Sequence, residues 1–218
     1  MSAPLREYEP IRGLPEPLPA GERILWQGAP AWTALARRAL HVDKLAVYFA
    51  VLLAWRGVAA LADGAEAGQA ALAVARLSPL VGLVLGFLVL LAWLTARATV
   101  YTITDRRLVL RIGLALPLVV NVPFKIVRSA AFRTHPDGTG DLPLALEANG
   151  RLGYVHLWPH ARPWSLGRAE PMLRCVPDAA RVAGILARAL AAAAGQPAPT
   201  VVAPAQPETE SGLAGVAA

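Results

Sequence analysis

The strongest constraint on this chain is an uncharged apolar run at residues 77–96, LSPLVGLVLGFLVLLAWLTA. A helix rises about 1.5 Å per residue, so about 20 residues cover the ~30 Å hydrocarbon layer of a bilayer. A soluble domain in a chain of 218 residues does not need such a helix. The sequence therefore predicts a membrane protein, and the other segments are interpreted around this span.

A second apolar segment, residues 45–62, predicts a first span that forms a hairpin with the run at 77–96. It contains Arg56, and a charge at the bilayer centre costs about 2.5–3.5 kcal/mol. Two interpretations of Arg56 stay open: snorkelling to the membrane surface, or pairing with an acidic group on a partner protein. Lys and Arg are concentrated outside the hairpin, which places both termini in the cytoplasm and the connecting segment 63–76 outside.

Beyond the second span the apolar pattern alternates, which is typical of β-strands. Residues 99–104 and 107–112 predict a hairpin, and strand-like runs follow at 118–122, 125–132, 142–148 and 151–158. The apolar stretch 112–124 is too short for a third span and is interrupted by two prolines. A helix between Pro177 and Gly195 is predicted to pack on the sheet through one apolar stripe, formed by Val182, Ile185, Leu186 and Leu190.

Two resemblances extend this interpretation. The segment GERILWQGAPAW (21–32), the hairpin, and YTITDRRLVLRIG (101–113) resemble bacterial pleckstrin-homology (PH)-type membrane proteins. HLWPHARPW, EPMLR and VPDAA, within residues 153–190, are similar to photosynthetic complex assembly proteins of purple bacteria, a family encoded beside the reaction-centre H subunit. The resemblance covers roughly residues 5–192 and implies non-catalytic help in building the reaction centre, as an oligomer.

The predicted fold is an α+β membrane protein, with a two-helix transmembrane hairpin and a small antiparallel, PH-like β domain capped by a C-terminal helix. We expect it in the cytoplasmic (inner or intracytoplasmic) membrane. The predicted segments are a Pro-rich arm (1–20), a pre-membrane strand and turn (21–44), the hairpin (45–96, spans 45–62 and 77–96), the cytoplasmic PH-like domain (97–194) and a disordered tail (195–218).

The motif WPHARPW is the main candidate for binding a partner protein. It combines two large aromatic side chains, an imidazole and a guanidinium on a path stiffened by prolines: Trp158, His160, Arg162 and Trp164. Trp and Arg dominate the binding energy of protein interfaces, which favours recognition. The alternative is that the tryptophans fold back onto the β domain and stack with Arg162.

Two further groups are candidates for membrane contacts. Four arginines close to the second span suit anionic headgroups at about 1 kcal/mol each, or serve only to fix topology: Arg97, Arg106, Arg107 and Arg111. Gly82 and Gly86 form a G-x-x-x-G pair that lets helices approach closely. The sequence does not decide whether this pair packs on the first span or on a second copy in a homodimer.

Catalysis and metal binding are not predicted. The sequence has no Ser/His/Asp arrangement, phosphate-binding glycine loop or isolated carboxylate pair. His156 and His160 have a metal-ligand spacing, but Pro159 lies between them and no further ligand stands nearby. Cys175 is interpreted as a small packed residue. The turn residues His135, Asp137 and Asp141 are interpreted as a solvated loop.

The main functional hypothesis is a non-enzymatic assembly factor whose partners are reaction-centre subunits or assembly intermediates and an anionic lipid surface. The net charge of +6 is attributed to that surface and not to nucleic acid, because the chain is predicted to span a bilayer. The alternative is that the arginines only make a small domain soluble. One alternative is a lipid- or protein-binding PH-like module without a photosynthetic role. Another is bacteriochlorophyll delivery, for which His41, just outside the first span, is the candidate ligand. No bound cofactor is expected.

Overall fold

A computed structural model describes residues 13–14, 17–114, 117–147, 157–162 and 170–195. It confirms the predicted α+β class, with two long apolar helices, antiparallel sheets and a C-terminal helix. In chain order the elements are β1 (Ile24–Gly28), α1 (Trp32–Arg38), α2 (Val42–Ala62), α3 (Ala67–Ala98), β2 (Val100–Thr104), β3 (Arg107–Ile112), β4 (Leu118–Pro123), a 3-10 turn (Phe124–Ile126), β5 (Val127–Ala130), β6 (Arg133–Thr134), β7 (Gly140–Leu146), β8 (Met172–Val176) and α4 (Ala179–Ala194).

Helices α2 and α3 are each long and apolar enough to cross a membrane. Only 6% of the most apolar stretch of each helix is buried inside the protein. The rest of the described chain therefore leaves these helix surfaces uncovered. The second helix begins at Ala67, ten residues earlier than the predicted span, because the Ala-rich segment 67–76 favours helix. The amide of Glu66 donates to Oε1 of Gln69 at 3.4 Å and helps to fix this start.

The two long helices approach each other closely at Gly57. A Cβ atom placed on Gly57 would lie 3.3 Å from Cγ2 of Val74, whereas one placed on Gly82 or Gly86 would meet nothing within 4 Å. The G-x-x-x-G pair therefore faces away from the first long helix. This geometry does not support packing of the pair on the first span. Packing on a second copy of the chain, the other predicted use, stays a prediction.

Helix α1 joins the hairpin to the β domain and was not predicted. Its buried side chains include Ala34 and Leu35, which form one cluster with Ala96 of α3 and Cys175 of β8. The amide of Ala31 also donates to the carbonyl oxygen of Cys175 at 2.8 Å. This short helix lacked a sequence signal because seven residues cover barely two turns, and tertiary contacts stabilise them.

The β domain consists of two antiparallel sheets and a helix. One sheet has the order β1-β2-β3-β4, and in the other β7 pairs with β5, β6 and β8. Their apolar faces and α4 share one core, which includes Ile103, Leu108, Leu110, Leu142, Leu144, Leu173, Val182 and Leu186. Ile185 and Leu190 pack at its edge, which confirms the predicted stripe of the last helix. This helix ends at Gly195, whose φ of 65° suits a residue without a Cβ.

Most predicted strands are confirmed, with two differences. The described residues of the stretch 112–124 include the end of β3, all of β4 and the start of the 3-10 turn, so the rejection of a third span is confirmed. Strands β6 and β8 were not predicted. Of the run 151–158, only Leu157 and Trp158 are described, and they lie in a turn.

The terminal segments are only partly described. In the Pro-rich arm, Leu14 is buried, and a Cβ on Gly13 would clash with Val100 of β2, so these two residues lie close against the β domain. Most of the arm, and the tail beyond Gly195, lie outside the described residues.

The contact at Gly57 generates a prediction about the hairpin. We expect Gly57→Leu to force α2 and α3 apart and to lower the free energy of unfolding by about 1–3 kcal/mol, as overpacking does in protein cores. Thermal unfolding in detergent, followed by circular dichroism, measures the change. The matched control is Gly82→Leu, which has open space around it. A larger loss in the control than in Gly57→Leu would contradict the assigned helix contact.

Candidate functional site at the junction of the hairpin and the β domain

A continuous chain of hydrogen bonds connects the last turn of α3 to the β domain. The amide of Arg174 donates to the phenol oxygen of Tyr101 at 3.3 Å, and this oxygen lies 2.6 Å from Nδ1 of His160. On the other side of the imidazole, Nε2 lies 3.1 Å from Oγ1 of Thr99. The Thr99 hydroxyl donates to the carbonyl oxygen of Thr95 at 2.8 Å. Thr99, Tyr101 and His160 are each at most 1% exposed.

The pattern of donors assigns one protonation state to His160. Because the Thr99 hydroxyl gives its hydrogen to Thr95, its oxygen is left to accept from Nε2–H of the imidazole. A neutral imidazole protonated at Nε2 then offers the lone pair of Nδ1 to the hydroxyl of Tyr101. The side chains of Thr99, His160 and Tyr101 then all have partners. In an imidazolium, Nδ1 would also carry a proton, and the hydroxyl hydrogen of Tyr101 would be left without an acceptor.

The electrostatics of the site agree with this assignment. Burial, assisted by the positive charge of Arg174, lowers the pKa of His160 from 6.5 to about 3. Burial also raises the pKa of Tyr101 far above its ordinary value. Both groups are therefore neutral at physiological pH, and the network holds the fold together without carrying charge.

A cationic branch ties α1 to the same network. The guanidinium of Arg174 donates to the carbonyl oxygens of Pro159 at 2.8 Å and Arg38 at 3.0 Å. Arg38 in turn pairs with Asp137 at 2.9 Å. The hydroxyl of Thr139 and the charge of Arg38 hold the pKa of Asp137 well below its usual range. The branch thus fixes the end of α1 against β8 and the β6–β7 turn.

The interpretation of the β6–β7 turn as a solvated loop holds for the exposed Asp137 but is wrong for His135 and Asp141. Asp141 accepts from Nε2 of His135 at 3.0 Å and from the amide of Cys175 at 2.8 Å, and its side chain is only 17% exposed. Asp141 is drawn inward because β8 pairs directly with β7, the strand that carries it. Cys175 is fully buried, and burial raises the pKa of its thiol to about 12, so its interpretation as a packed residue is confirmed.

The partner-binding motif is divided between interior and surface. Trp158 is 49% exposed, whereas His160, two residues later, is interior and belongs to the network described above. The side chain of Arg162 is 53% exposed and pairs with Glu170 at 2.9 Å. Trp164 and His156 lie outside the described residues. The part of the motif that can meet a partner in the described fold is therefore Trp158 and Arg162.

Two of the four candidate membrane-surface arginines lie near the end of α3. Arg97 places its guanidinium carbon 4.9 Å from the ring centre of Trp93, a cation–π contact in the last turns of the helix. Arg111 is exposed and pairs across the sheet with Val100, the first residue of β2. Both would suit a water–lipid boundary, where Trp is enriched and where Lys and Arg flank the cytoplasmic ends of membrane helices.

The other two arginines lie at the opposite end of β2 and β3. At about 3.3 Å per residue, Arg106 and Arg107 are about 15 Å farther along the strands than Val100. Arg107 donates to both carboxylate oxygens of the buried Glu22, at 2.8 and 3.0 Å. The four arginines therefore do not share one level, because the β2–β3 hairpin carries two of them away from the helix end.

Arg56 is exposed on α2 and forms no ion pair with the described residues. Since Gly57 packs on Val74, Arg56 and the exposed Arg76 of α3 lie at nearly the same depth of the hairpin. Both interpretations of Arg56 therefore stay open.

Sequence reasoning missed most of this junction. Thr99, Tyr101, Arg38 and Arg174 were not singled out, although an alternating strand that carries Tyr beside two Thr residues is a signal for an interior polar network. Within the described part of the chain, no group of three or more His, Cys, Asp or Glu side chains could hold a metal ion. The arrangement joins two structural units and presents an aromatic side chain beside them.

Comparison with known proteins gives two matches. The family described as "Bacterial PH domain" matches residues 45–190. The chain is also similar to a Rhodobacter capsulatus protein named "Uncharacterized 23.7 kDa protein in puhA 5'region", with 39% identity over 194 residues, which covers 88% of this chain and 90% of the relative. No solved structure matches.

The lowered pKa of His160 predicts a pH-dependent stability. The unfolded imidazole binds a proton below pH 6.5 and the folded one only near pH 3, so the unfolded state gains protons in this window. The free energy of unfolding should therefore fall as the pH drops from 6.5 towards 3, by up to about 1.4 kcal/mol per pH unit. His160→Gln should be less stable at pH 7 but lose less on acidification.

Chemical unfolding of the full chain in detergent, at several pH values, measures this difference. The control is His41→Asn, which removes an exposed imidazole at a positive φ that Asn tolerates. An acid dependence that is the same in His160→Gln as in the unmodified chain would contradict the buried neutral state.

Proposed function

The chain belongs to the bacterial PH domain family, and we propose that it is a non-catalytic, membrane-anchored factor that assists assembly of the photosynthetic reaction centre. The observation that carries the proposal is the relative whose name places it in the 5' region of puhA, the reaction-centre H gene. The two chains match over 88% of one and 90% of the other, so both the hairpin and the β domain are included.

The geometry suits a rigid platform at a membrane surface. Only Thr99 separates the end of α3 from the start of β2, and its side chain is bonded into the buried network. The β domain therefore has no flexible linker to the membrane helix. A platform of this kind holds a bound intermediate at a fixed height above the bilayer, which lowers the entropic cost of assembly.

The turn 157–162 is the proposed contact for reaction-centre subunits or assembly intermediates. His160 and Arg174 anchor the turn from inside, through Tyr101 and the carbonyl oxygen of Pro159. Trp158 and Arg162 are left at the surface on this fixed turn. Trp and Arg are among the residue types that dominate binding energy in protein interfaces, and both are preorganised here on one anchored turn.

The proposed location is the cytoplasmic membrane, with the β domain on the cytoplasmic side. The support is the excess of Lys and Arg around both outer ends of the hairpin: Arg37, Arg38, Lys44, Arg97 and Arg111. The connection between α2 and α3 carries Asp63 and Glu66 instead.

This orientation is tested with two reporter fusions. Alkaline phosphatase, which needs disulfides and is active only outside the cytoplasm, should be active when inserted at Gly64 and inactive when fused after Gly195. The opposite pattern would place the β domain outside the cytoplasm and would contradict the proposed platform.

One alternative is a lipid-binding PH-like module without a photosynthetic role, and the exposed Arg97 and Arg111 near the end of α3 favour it. It predicts unchanged reaction-centre levels when the gene is deleted. Pigment delivery is the other alternative, and it predicts bacteriochlorophyll absorbance in the purified protein. His41, its candidate ligand, is exposed at the start of α2.

The deciding experiment is deletion of the gene followed by complementation. We expect the deletion to reduce near-infrared absorbance and the amount of reaction centre in membranes, and the unmodified gene to restore both. Trp158→Ala should restore them poorly, because truncation of an interface hot spot costs at least about 2 kcal/mol, or about 30-fold in affinity.

The matched control is Leu25→Ala, which removes another large exposed apolar side chain of the β domain, 45% exposed, away from the turn. Immunoblots of membranes must show equal amounts of both variants. Reaction-centre levels that do not change on deletion would overturn the assembly role, and full restoration by Trp158→Ala would overturn the assigned contact.

A further inference from the structure

Two arginines lie at one depth on the exposed surface of the helix hairpin, towards the end away from the β domain. Arg56 of α2 and Arg76 of α3 are both exposed, and neither forms an ion pair with the described residues. We propose that the two guanidiniums together bind the phosphate of an anionic phospholipid, in the leaflet opposite to the β domain. The inference requires that α2 and α3 cross a bilayer, and it does not depend on the assembly role.

The packing of the two helices fixes the relative depth of the pair. Helices α2 and α3 run antiparallel, because only residues 63–66 connect them and the helices pack on each other. A Cβ atom on Gly57 would lie 3.3 Å from Cγ2 of Val74, so these two residues share one level. Arg56 lies one residue before Gly57, and Arg76 lies two residues after Val74. Both steps lead in the same direction along the hairpin, so the two arginine Cα atoms differ in depth by only about 1.5 Å.

Both arginines also lie on the same side of the hairpin. An α-helix turns by about 100° per residue, so Arg56 is rotated by about 100° from Gly57, which meets α3. Arg76 is rotated by about 160°, in the same sense along its own helix, from Val74, which meets α2. In an antiparallel pair of right-handed helices, rotations of the same sense lead to the same side. Since packed helix axes are about 8–10 Å apart, two long side chains at one level can reach one phosphate between them.

Distances along α2 place this level within reach of the lipid headgroups. Lys44 and Arg56 are twelve residues apart, which corresponds to about 18 Å along the helix. The hydrocarbon layer is about 30 Å thick, so each side chain has to extend only about 6 Å along the membrane normal for its charge to leave the layer. Lys and Arg side chains near helix ends do this by snorkelling. Arg56 and Arg76 then meet the phosphates of one leaflet, and Lys44 meets those of the other.

An anionic phospholipid is the ligand that this arrangement favours. A guanidinium donates two parallel hydrogen bonds to phosphate oxygens, and two guanidiniums carry more positive charge than one phosphate diester neutralises, which favours headgroups without a cation of their own. The nearest carboxylates of the hairpin are Asp63 and Glu66, about 10 Å from Arg56 and about 15 Å from Arg76 along the helices. Lipid phosphates surround every copy of the chain at this depth, whereas an acidic partner protein would have to supply a carboxylate there.

Trp55 provides a native reporter of the lipids at this site, because it precedes Arg56 and is 72% exposed. The full chain is reconstituted in phosphatidylcholine vesicles, and the quenching of tryptophan fluorescence by brominated phosphatidylglycerol is compared with quenching by brominated phosphatidylcholine. Subtraction of the signal of Trp55→Phe isolates the contribution of Trp55. The ratio of the two quenching efficiencies then measures the preference of the site for the anionic lipid.

We expect the unmodified chain to prefer phosphatidylglycerol, and Arg56→Gln and Arg76→Gln each to lower this preference about fivefold. The double variant should show no preference. Arg76→Lys, which keeps the charge but loses the paired hydrogen bonds, should retain part of it. The matched control is Lys44→Gln, which removes a cation of the same helix about 18 Å away and should leave the preference unchanged. Circular dichroism verifies that each variant has the helix content of the unmodified chain.

Equal quenching by both lipids in the unmodified chain would overturn the proposal and would favour a carboxylate of a partner protein as the ligand. A preference that responds to only one of the two arginines would overturn the shared site. Inorganic phosphate, compared with chloride at equal ionic strength, should leave the quenching unchanged. Loss of the lipid preference in phosphate would assign the pair to a soluble anion and overturn the lipid assignment. Reaction-centre levels play no part in these measurements, so this proposal and the assembly role fail independently.

Discussion

A neutral imidazole buried where a long apolar helix becomes a β-strand is the interaction on which this structure depends. His160 is held between Thr99 and Tyr101, and no water-exposed route remains to satisfy these groups. A buried polar group that loses its partner costs about 1–3 kcal/mol, so a gap in this chain of hydrogen bonds leaves several groups unsatisfied together. The network is therefore maintained as a unit or lost as a unit.

This constraint explains why the molecule has no flexible joint between its two parts. The Thr99 hydroxyl continues the hydrogen bonding of α3 by donating to Thr95, while Tyr101 already belongs to the sheet. The polar network therefore overlaps both the helix and the strand. Arg174 and Arg38 add a second attachment through α1, so the β domain is fixed at two points against the hairpin.

How far the sequence predicts the structure depends on the range of the interactions. Strand β3 was predicted at its observed boundaries because its alternation is a local signal. Strand β8 was missed because its five residues contain Arg174, whose amide and terminal guanidinium nitrogens donate to Tyr101, Pro159 and Arg38, all distant in the chain. His160 looked like a surface group among Trp158 and Arg162, and only partners about 60 residues distant draw it inward. Local patterns predicted the elements, but the junction is built from non-local contacts.

The uncovered surfaces of the membrane helices and of the β domain differ in chemistry, and this difference bears on the kind of partner proposed above. Helices α2 and α3 leave apolar faces with the glycines of the G-x-x-x-G pair turned outward, whereas the β domain presents Trp158 and Arg162 on one turn. A soluble client could use only the second surface. A client that is itself a membrane protein, as reaction-centre intermediates are, could contact both levels together. Because the junction is rigid, the first contact would position the second and raise its effective concentration.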